Sequence, residues 1–223
     1  MSDRSELRLT VEGGGEVSAL AVKPSEAKWL LVFAHGAGAG MRHPFMEAMA
    51  VELGRRRIAT LRYQFPYMEQ RRGRPDPPAL LARTVAAACH AGAEAHPSLV
   101  LLGGGKSMGG RMTSEAAAQG LLPEVSGIVF FGFPLHPPKA PGVKRAGHLE
   151  KVKVPMLFLQ GTRDTLADLT LLRPICERLR PLATLEVIDS ADHSFHVLKR
   201  SGTTDQAVLS GLADTTAAWA SCL

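Results

Sequence analysis

The sequence predicts an α/β fold of three layers, in which a mostly parallel sheet lies between two layers of helices. Segments that are apolar throughout alternate along the chain with segments of helical spacing, as in parallel sheets covered on both faces. Two short alternating runs, Leu7–Glu12 and Val17–Val22, precede them and are joined by three glycines, which predicts an antiparallel N-terminal hairpin. Because 223 residues suffice for one substantial core, we expect residues 1–223 to form a single domain.

The other strands and helices follow from apolar runs and from apolar residues spaced three or four apart. In the first half, the predicted elements are a strand over Lys28–Ala34, a helix over Pro44–Arg57, a strand over Ile58–Phe65, a loop over Pro66–Pro78 and a helix over Ala79–Ala95. In the second half, they are a strand over Leu99–Leu102, a helix over Met108–Gln119, strands over Gly127–Gly132 and Val154–Gln160, a helix over Leu169–Leu179, a strand over Thr184–Ile188 and a helix over Thr204–Trp219.

The composition favours a soluble globular protein and excludes a disordered chain, because 45% of the residues are hydrophobic and 21% are charged. The N-terminal residues are polar and no apolar run is long enough to span a bilayer, so we expect neither a signal peptide nor membrane association. The three cysteines, Cys89, Cys176 and Cys222, lack metal-ligand spacing and favour a reducing compartment, which predicts a cytoplasmic protein.

The net charge of +5 is concentrated in two arginine clusters, Arg55–Arg57 and Arg71–Arg74. Either an anionic partner or substrate explains them, or a helix C-terminus and a solvated loop do. Because no aromatic residues are interleaved with them and no nucleic-acid motif is present, we expect no nucleic-acid partner.

The most informative segment is Gly105-Lys-Ser-Met-Gly109, which fits the pattern G-x-S-x-G between a predicted strand and a predicted helix. In such a nucleophile elbow, a serine in strained backbone geometry exposes its hydroxyl above the sheet, and the glycines leave room where strand and helix nearly touch. The N-terminus of the helix also offers free amides to a developing oxyanion. Ser107 is therefore the candidate nucleophile.

Two other interpretations of this segment remain open. Gly105-Lys106-Ser107 is also the tail of a phosphate-binding loop pattern, but that pattern needs a glycine at the position of Val100 and a longer loop. A glycine-rich turn without chemistry is the second alternative.

A serine nucleophile needs a base, and the base needs a carboxylate that holds its tautomer. Reactive groups in an open parallel sheet lie at the carboxyl ends of strands. Asp164 follows the predicted strand that ends at Gln160, and His193 follows the one that ends at Ile188. The chain order Ser107, Asp164, His193 is also the order expected with a nucleophile elbow, so these three are the predicted catalytic residues.

Both partners of the serine have alternatives. Asp164 could instead cap the following helix, while Asp168 lies too far past the strand and Asp189 too early to be favoured as the acid. His196 is the rival base, although His193 is better placed in the loop before the helix. A zinc site built from these two histidines and a third would lack an acidic or cysteine partner at useful spacing, so we expect no metal.

The oxyanion hole requires two backbone amides. The amide of Met108, directly after the nucleophile, is the first candidate, and the loop after the third strand supplies the second. Ala37 is the preferred second donor, with Gly36 and Gly38 as alternatives. We expect the side chain of His35 to hold this loop by hydrogen bonds rather than to transfer protons.

Four segments carry a family resemblance, and they read Phe33-Ala-His-Gly-Ala-Gly-Ala, Gly104-Gly-Lys-Ser-Met-Gly-Gly-Arg, Phe131-Gly-Phe-Pro-Leu-His-Pro-Pro and Leu159-Gln-Gly-Thr-Arg-Asp. They resemble the α/β-hydrolase superfamily, and most of all its small, dienelactone-hydrolase-like branch that includes the testis-expressed and NSL-complex-subunit proteins. The likeness covers most of the chain and implies the α/β-hydrolase fold, with a triad at Ser107, Asp164 and His193. Dienelactone hydrolases proper have cysteine where this chain has Ser107, so their substrate is not implied.

In this superfamily, a cap that covers the substrate is usually inserted between the strands that here end near Phe133 and begin at Val154. Leu135–Val152 is too short for a multi-helix lid, so we expect no large cap and an open, shallow cleft. The candidate triad and the resemblance together predict a serine hydrolase for a small or accessible ester or related acyl bond, with a small-molecule substrate. No metal or organic cofactor is implied. Some larger members of the branch look like components of complexes, so a non-catalytic interaction protein is the alternative. The oligomeric state stays open.

Overall fold

The computed structural model describes residues 2–223 and confirms the predicted three-layer α/β fold. Eight strands form one sheet, with helices on both faces. The strands are β1 (Ser2–Val11), β2 (Gly15–Pro24), β3 (Trp29–Ala34), β4 (Ile58–Tyr63), β5 (Val100–Lys106), β6 (Gly127–Phe131), β7 (Met156–Gly161) and β8 (Ala183–Ile188). The helices are α1 (Pro44–Arg55), α2 (Pro66–Glu69), α3 (Pro78–Ala95), α4 (Met108–Ala118), α5 (Leu169–Arg178) and α6 (Asp205–Ala220).

The order of strands across the sheet is β1-β2-β4-β3-β5-β6-β7-β8. β1 and β2 form the predicted antiparallel hairpin, and β2 continues antiparallel along β4. The strands from β4 to β8 are all parallel. Because the chain builds outwards from β3 first towards β4 and then towards β5, the carboxyl ends of β3 and β5 flank a topological switch point, where open α/β sheets bind ligands.

Two apolar cores explain why the parallel strands are hydrophobic throughout. On one face, Leu30 and Val32 of β3 pack in the core formed with α3, α4 and α5, and on the other face, Leu31 and Phe33 join α1 and α6. Alternate side chains of one strand therefore serve different cores. Most apolar residues of the longer helices pack into these two cores. No helix in residues 2–223 is both long enough and apolar enough to cross a membrane.

β5 is longer than the predicted strand, because it runs past Leu102 to Lys106. Its glycines allow close packing between neighbouring strands, since a Cβ at Gly104 would lie 2.4 Å from the carbonyl oxygen of Val129. The strand therefore leads directly to Ser107, and this leaves no room for the loop that a phosphate-binding motif needs.

Only short turns and loops lie over the carboxyl ends of the strands. Within the predicted loop Pro66–Pro78, a single helical turn forms α2. Between β6 and β7, the chain makes two 3₁₀ turns, Lys144–Ala146 and Leu149–Lys151. The prediction that no large cap is present is therefore confirmed.

Both arginine clusters contain residues that form ion pairs within the fold. Arg56 at the end of α1 bonds to the carboxylates of Glu52 and Asp214, at 2.8 and 2.6 Å. Arg72 in the second cluster lies 2.5 Å from Asp76. These ion pairs favour the structural explanation of the clusters over an anionic partner.

Candidate active site

Ser107 lies at the turn between β5 and α4, with φ 52° and ψ −117°. A positive φ is costly for a residue with a side chain, so the surrounding structure must hold it. The amide of Ser107 donates to the carbonyl oxygen of Phe131 at 3.2 Å, and its own carbonyl accepts from the amide of Arg111 at 3.2 Å. The turn has the strained geometry that the sequence pattern predicts.

The two glycines of the pattern make this turn possible. A Cβ at Gly105 would lie 2.5 Å from the carbonyl oxygen of Ala34, and a Cβ at Gly109 would lie 2.4 Å from the same oxygen. Because these neighbours are backbone atoms, no side-chain movement could relieve such contacts. Glycine is therefore required where β5, α4 and the end of β3 meet.

His193 lies in a tight loop after β8. Ala191 and Val197 form an antiparallel bridge at the base of this loop. Within it, the carboxylate of Asp192 accepts a hydrogen bond from the amide of His196 at 3.0 Å. The loop is thus closed by its own hydrogen bonds, which limits the positions open to the His193 ring.

Asp164 is buried just past the carboxyl end of β7. Its Oδ2 accepts from Nε2 of Gln160 at 2.5 Å, and its Oδ1 accepts from the amide of Leu166 at 2.8 Å. Gln160 is oriented in turn by the amide of Phe133, which donates to its Oε1 at 2.9 Å. The fold therefore fixes this carboxylate independently of the histidine.

The structure brings the three predicted residues together. Nδ1 of His193 lies 2.7 Å from Oδ2 of Asp164, and Nε2 of His193 lies 2.8 Å from Oγ of Ser107. Because a carboxylate only accepts hydrogen bonds, Nδ1 carries the proton, and Nε2 is left to accept the proton of the serine hydroxyl. Such an arrangement can activate the hydroxyl and stabilise the imidazolium that forms.

The rival residues have other partners. Asp168 is the N-cap of α5, and its carboxylate accepts from the amide of Thr170 at 2.8 Å. His196 bonds to the carboxylate of Asp205 at 2.8 Å, which raises the pKa of the imidazole. Among residues 2–223, no group of three or more His, Cys, Asp or Glu side chains is arranged to hold a metal ion.

The loop after β3 lies beside Ser107, since a Cβ at Gly36 would lie 3.8 Å from the Cβ of the serine. The amide of Gly38 is engaged, because it donates to Oη of Tyr67 at 3.1 Å. This leaves Gly36 and the preferred Ala37 as donors from this loop. Met108 begins α4, so its amide is one of those that helix geometry leaves without an intrahelical acceptor.

The side chain of His35 holds the loop after β3 by hydrogen bonds, as predicted. Its Nδ1 donates to the carbonyl oxygen of Gly36 at 2.7 Å, and its Nε2 accepts from the amide of Phe65 at 3.2 Å. Burial lowers the pKa of His35 to about 4, so the ring is neutral near pH 7. A neutral ring with one donor and one acceptor matches this pair of backbone contacts.

Three residues near the site are not identified by sequence reasoning. Gln160, which orients Asp164, gives a signal only as a polar residue at the end of an apolar strand. Gly132, after β6, has φ 75°, and a Cβ there would lie 3.4 Å from Nδ1 of His193. Lys106 donates from Nζ to the carbonyl oxygen of His193 at 2.5 Å. The contacts of Gly132 and Lys106 with His193, and of Gln160 with Phe133, join segments that are distant in the chain, so sequence spacing does not reveal them.

The sequence of the chain also matches a known protein family. Residues 27–221 match the family model described as an alpha/beta hydrolase domain. The chain belongs to this α/β-hydrolase family.

Solved structures show the same fold over nearly the whole length of this α/β hydrolase. The dienelactone hydrolase from Anabaena variabilis is 24% identical, with a TM-score of 0.75, over 98% of this chain and 96% of that one. A member of the α/β serine hydrolases without a lid, from Xanthomonas campestris, is 18% identical, with a TM-score of 0.76, over 97% and 95%. The esterase domain of a Rhodothermus marinus protein is 16% identical, with a TM-score of 0.70, over 98% of both chains.

Proposed function

We propose that this α/β hydrolase is a serine hydrolase that cleaves a small or accessible carboxylic ester, or a related acyl bond, through an acyl-enzyme. One observation carries the proposal: Ser107 Oγ, the imidazole of His193 and the carboxylate of Asp164 form a hydrogen-bonded row with separations of 2.8 and 2.7 Å. A binding surface has no need of an alcohol, an imidazole and an acid in this order at the ends of three strands. Esterases and serine hydrolases among the similar structures support the same reaction class.

In the proposed reaction, Nε2 of His193 takes the hydroxyl proton as Oγ of Ser107 attacks the carbonyl carbon. The amides of Met108 and Ala37 bind the oxyanion that develops, and Asp164 stabilises the imidazolium. His193 then gives its proton to the leaving alcohol as the ester C–O bond breaks. In the second half, water loses a proton to His193 and attacks the acyl carbon, and the carboxylic acid leaves as Ser107 regains its proton.

The four sequence segments that begin at Phe33, Gly104, Phe131 and Leu159 also support membership of one branch of the α/β hydrolases. This is the dienelactone-hydrolase-like branch with the testis-expressed and NSL-complex-subunit proteins. We further propose that the protein is cytoplasmic, in line with three free cysteines, and that it acts on a small-molecule acyl substrate. The proposed steps need neither a metal nor an organic cofactor.

The test is covalent labelling by a fluorophosphonate probe, which reacts with activated serines, together with hydrolysis of p-nitrophenyl acetate. We expect the wild-type protein to label and to hydrolyse the ester. Ser107→Ala should abolish labelling and lower kcat by at least about a thousandfold, because the nucleophile is lost. Ser221→Ala, at an exposed serine after α6, is the matched control and should behave like the wild type.

The alternative, a non-catalytic interaction protein, predicts a folded wild-type chain that neither labels nor hydrolyses any ester. Labelling that persists in Ser107→Ala would also contradict the proposal, because it would place the reactive group elsewhere.

A further inference from the structure

Lys106, which stands between glycine and serine in the elbow, has an unusual environment for a lysine. It ends β5 and is buried, with 9% of its surface exposed. Its Nζ donates to the backbone carbonyl oxygen of His193 at 2.5 Å. The residue before the proposed nucleophile is thus bonded to the main chain of the residue that supplies the proposed base.

Aromatic rings rather than carboxylates surround the ammonium group. Nζ lies 5.7 Å from the ring centroid of Phe45 and 5.4 Å from that of Phe195, and the two rings are stacked. On another side, a Cβ at Gly132 would lie only 3.1 Å from Nζ. Within residues 2–223, no acidic side chain forms an ion pair with Lys106, and Asp164 and Asp192 act on it only at longer range.

On its own, this arrangement lowers the stability of the fold. Removing an ammonium group from water costs free energy that one carbonyl and two ring faces recover only in part. An apolar side chain of similar length would fill the same space without that cost. A local feature that opposes stability at a site of proposed chemistry indicates a role in that chemistry.

We propose that Lys106 is a positioning residue, whose hydrogen bond to the His193 carbonyl holds the loop after β8 so that Nε2 of His193 meets Ser107. The inference rests on the proposed function. Asp164 restrains the ring of His193 at Nδ1, and Lys106 restrains its main chain, so the imidazole is fixed from two directions. Small misplacements of a catalytic group cost large factors in rate, which gives this second restraint its value.

The protonation of Lys106 gives the proposal a distinctive signature. Burial lowers the pKa of Lys106 to about 8, although Asp164 and Asp192 oppose the shift. The titratable groups that act on the amine at longer range are Asp164 after β7 and Asp192 after β8; its direct neighbours are the carbonyl of His193 and the uncharged Phe45, Gly132 and Phe195. Because a charged donor bonds more strongly than a neutral one, the restraint weakens as pH rises through about 8.

The test compares Lys106→Met, Lys106→Arg and the exposed control Lys199→Met for kcat, KM, melting temperature and rate of fluorophosphonate labelling. Lys106→Met should lower kcat and the labelling rate by about 10- to 100-fold with KM nearly unchanged, because the base is displaced but the cleft is not. Its melting temperature should equal or exceed that of the wild type, since a buried charge is removed. Lys106→Arg, which keeps a charged donor, should recover part of the rate.

The pH profile supplies a readout that a merely structural role would not change. Wild-type kcat should fall by about fivefold between pH 7.5 and pH 9.5, and Lys106→Met should lack this decline. A flat wild-type profile over this range overturns the proposal even if no variant folds.

The remaining outcomes are also decisive. Lys106→Met with wild-type kcat overturns the positioning role alone. A loss of kcat in that variant together with a melting temperature lowered by more than about 5 °C assigns Lys106 a structural role instead. A wild-type protein that reacts with neither ester nor probe overturns the proposed function, and the positioning role with it.

Discussion

Asp164 and Asp168 lie in the same loop after β7, yet the fold gives them different partners. Asp164 is buried and meets His193 at 2.7 Å, whereas Asp168 faces the N-terminus of α5 and bonds to Thr170. The two residues therefore form a natural pair for separating catalysis from helix capping.

We expect Asp164→Asn to lower kcat by about 10³- to 10⁴-fold, because an amide no longer fixes the Nδ1–H tautomer of His193 or stabilises its charged form. Asp168→Asn should leave kcat unchanged and alter stability little, because asparagine caps helices as well as aspartate does. Steady-state kinetics and thermal unfolding of both variants check this. An equal loss of activity in the two would remove Asp164 from the proposed triad.

At the residue scale, the sequence is informative where a position is tied to a strand end or to a motif. Ser107, Asp164 and His193 could be proposed in this way, because each follows a recognisable strand. Gln160 was not, since its role depends on the amide of Phe133 and the carboxylate of Asp164 meeting at one side chain. Hydrogen bonds of this kind form only when the strands come together in the sheet.

At the scale of elements, the elbow between β5 and α4 depends on close backbone approach. Gly109 in α4 and Gly211 in α6 are both helical glycines, but only the first is crowded. A Cβ at Gly109 would lie 2.4 Å from the carbonyl oxygen of Ala34, whereas at Gly211 nothing lies within 4 Å.

Gly109→Ala should therefore lower the free energy of unfolding by about 2–4 kcal/mol, because β3 or α4 must shift to make room. Gly211→Ala should raise it by up to about 1 kcal/mol, since alanine is the better helix former. Urea denaturation measures both changes. A Gly109→Ala variant as stable as the parent would mean that the elbow is looser than the structure shows.

The same element shows why strand bounds are hard to predict. Glycine is depleted in strands, so the apolar run predicts a strand only to Leu102. In the fold, β5 continues because its glycines let it pack against β3 and β6 on either side. α2 is missed for a different reason, since a single turn is too short to show helical periodicity.

At the scale of the whole molecule, one sheet gathers the predicted site from distant parts of the chain. All eight strands of residues 2–223 belong to it. The side chain of His193 is 22% exposed, and the segment between β6 and β7 forms only two short 3₁₀ turns. In the proposed reaction, we therefore expect the substrate to meet an open cleft rather than an enclosed tunnel.

For this reason, we expect kcat/KM on p-nitrophenyl esters to be highest for short acyl chains and to gain nothing beyond about six carbons. Each added methylene contributes about 0.8 kcal/mol of binding only if it is buried, and residues 2–223 form no lid that could bury it. A series of esters from acetate to palmitate measures this dependence. A steady rise of kcat/KM towards palmitate would reveal an apolar acyl pocket.

The N-terminal hairpin has a consequence for how copies of the protein behave in a crowded solution. Its β2 strand occupies the flank of β4, a strand buried along its full length that would otherwise offer unpaired backbone groups to a neighbouring chain. The new margin, β1, carries the exposed charges of Arg4, Glu6 and Arg8, which discourage edge-to-edge addition. The hairpin thus hinders edge-to-edge addition at this one margin of the sheet, and it contributes no residue to the proposed triad or oxyanion hole.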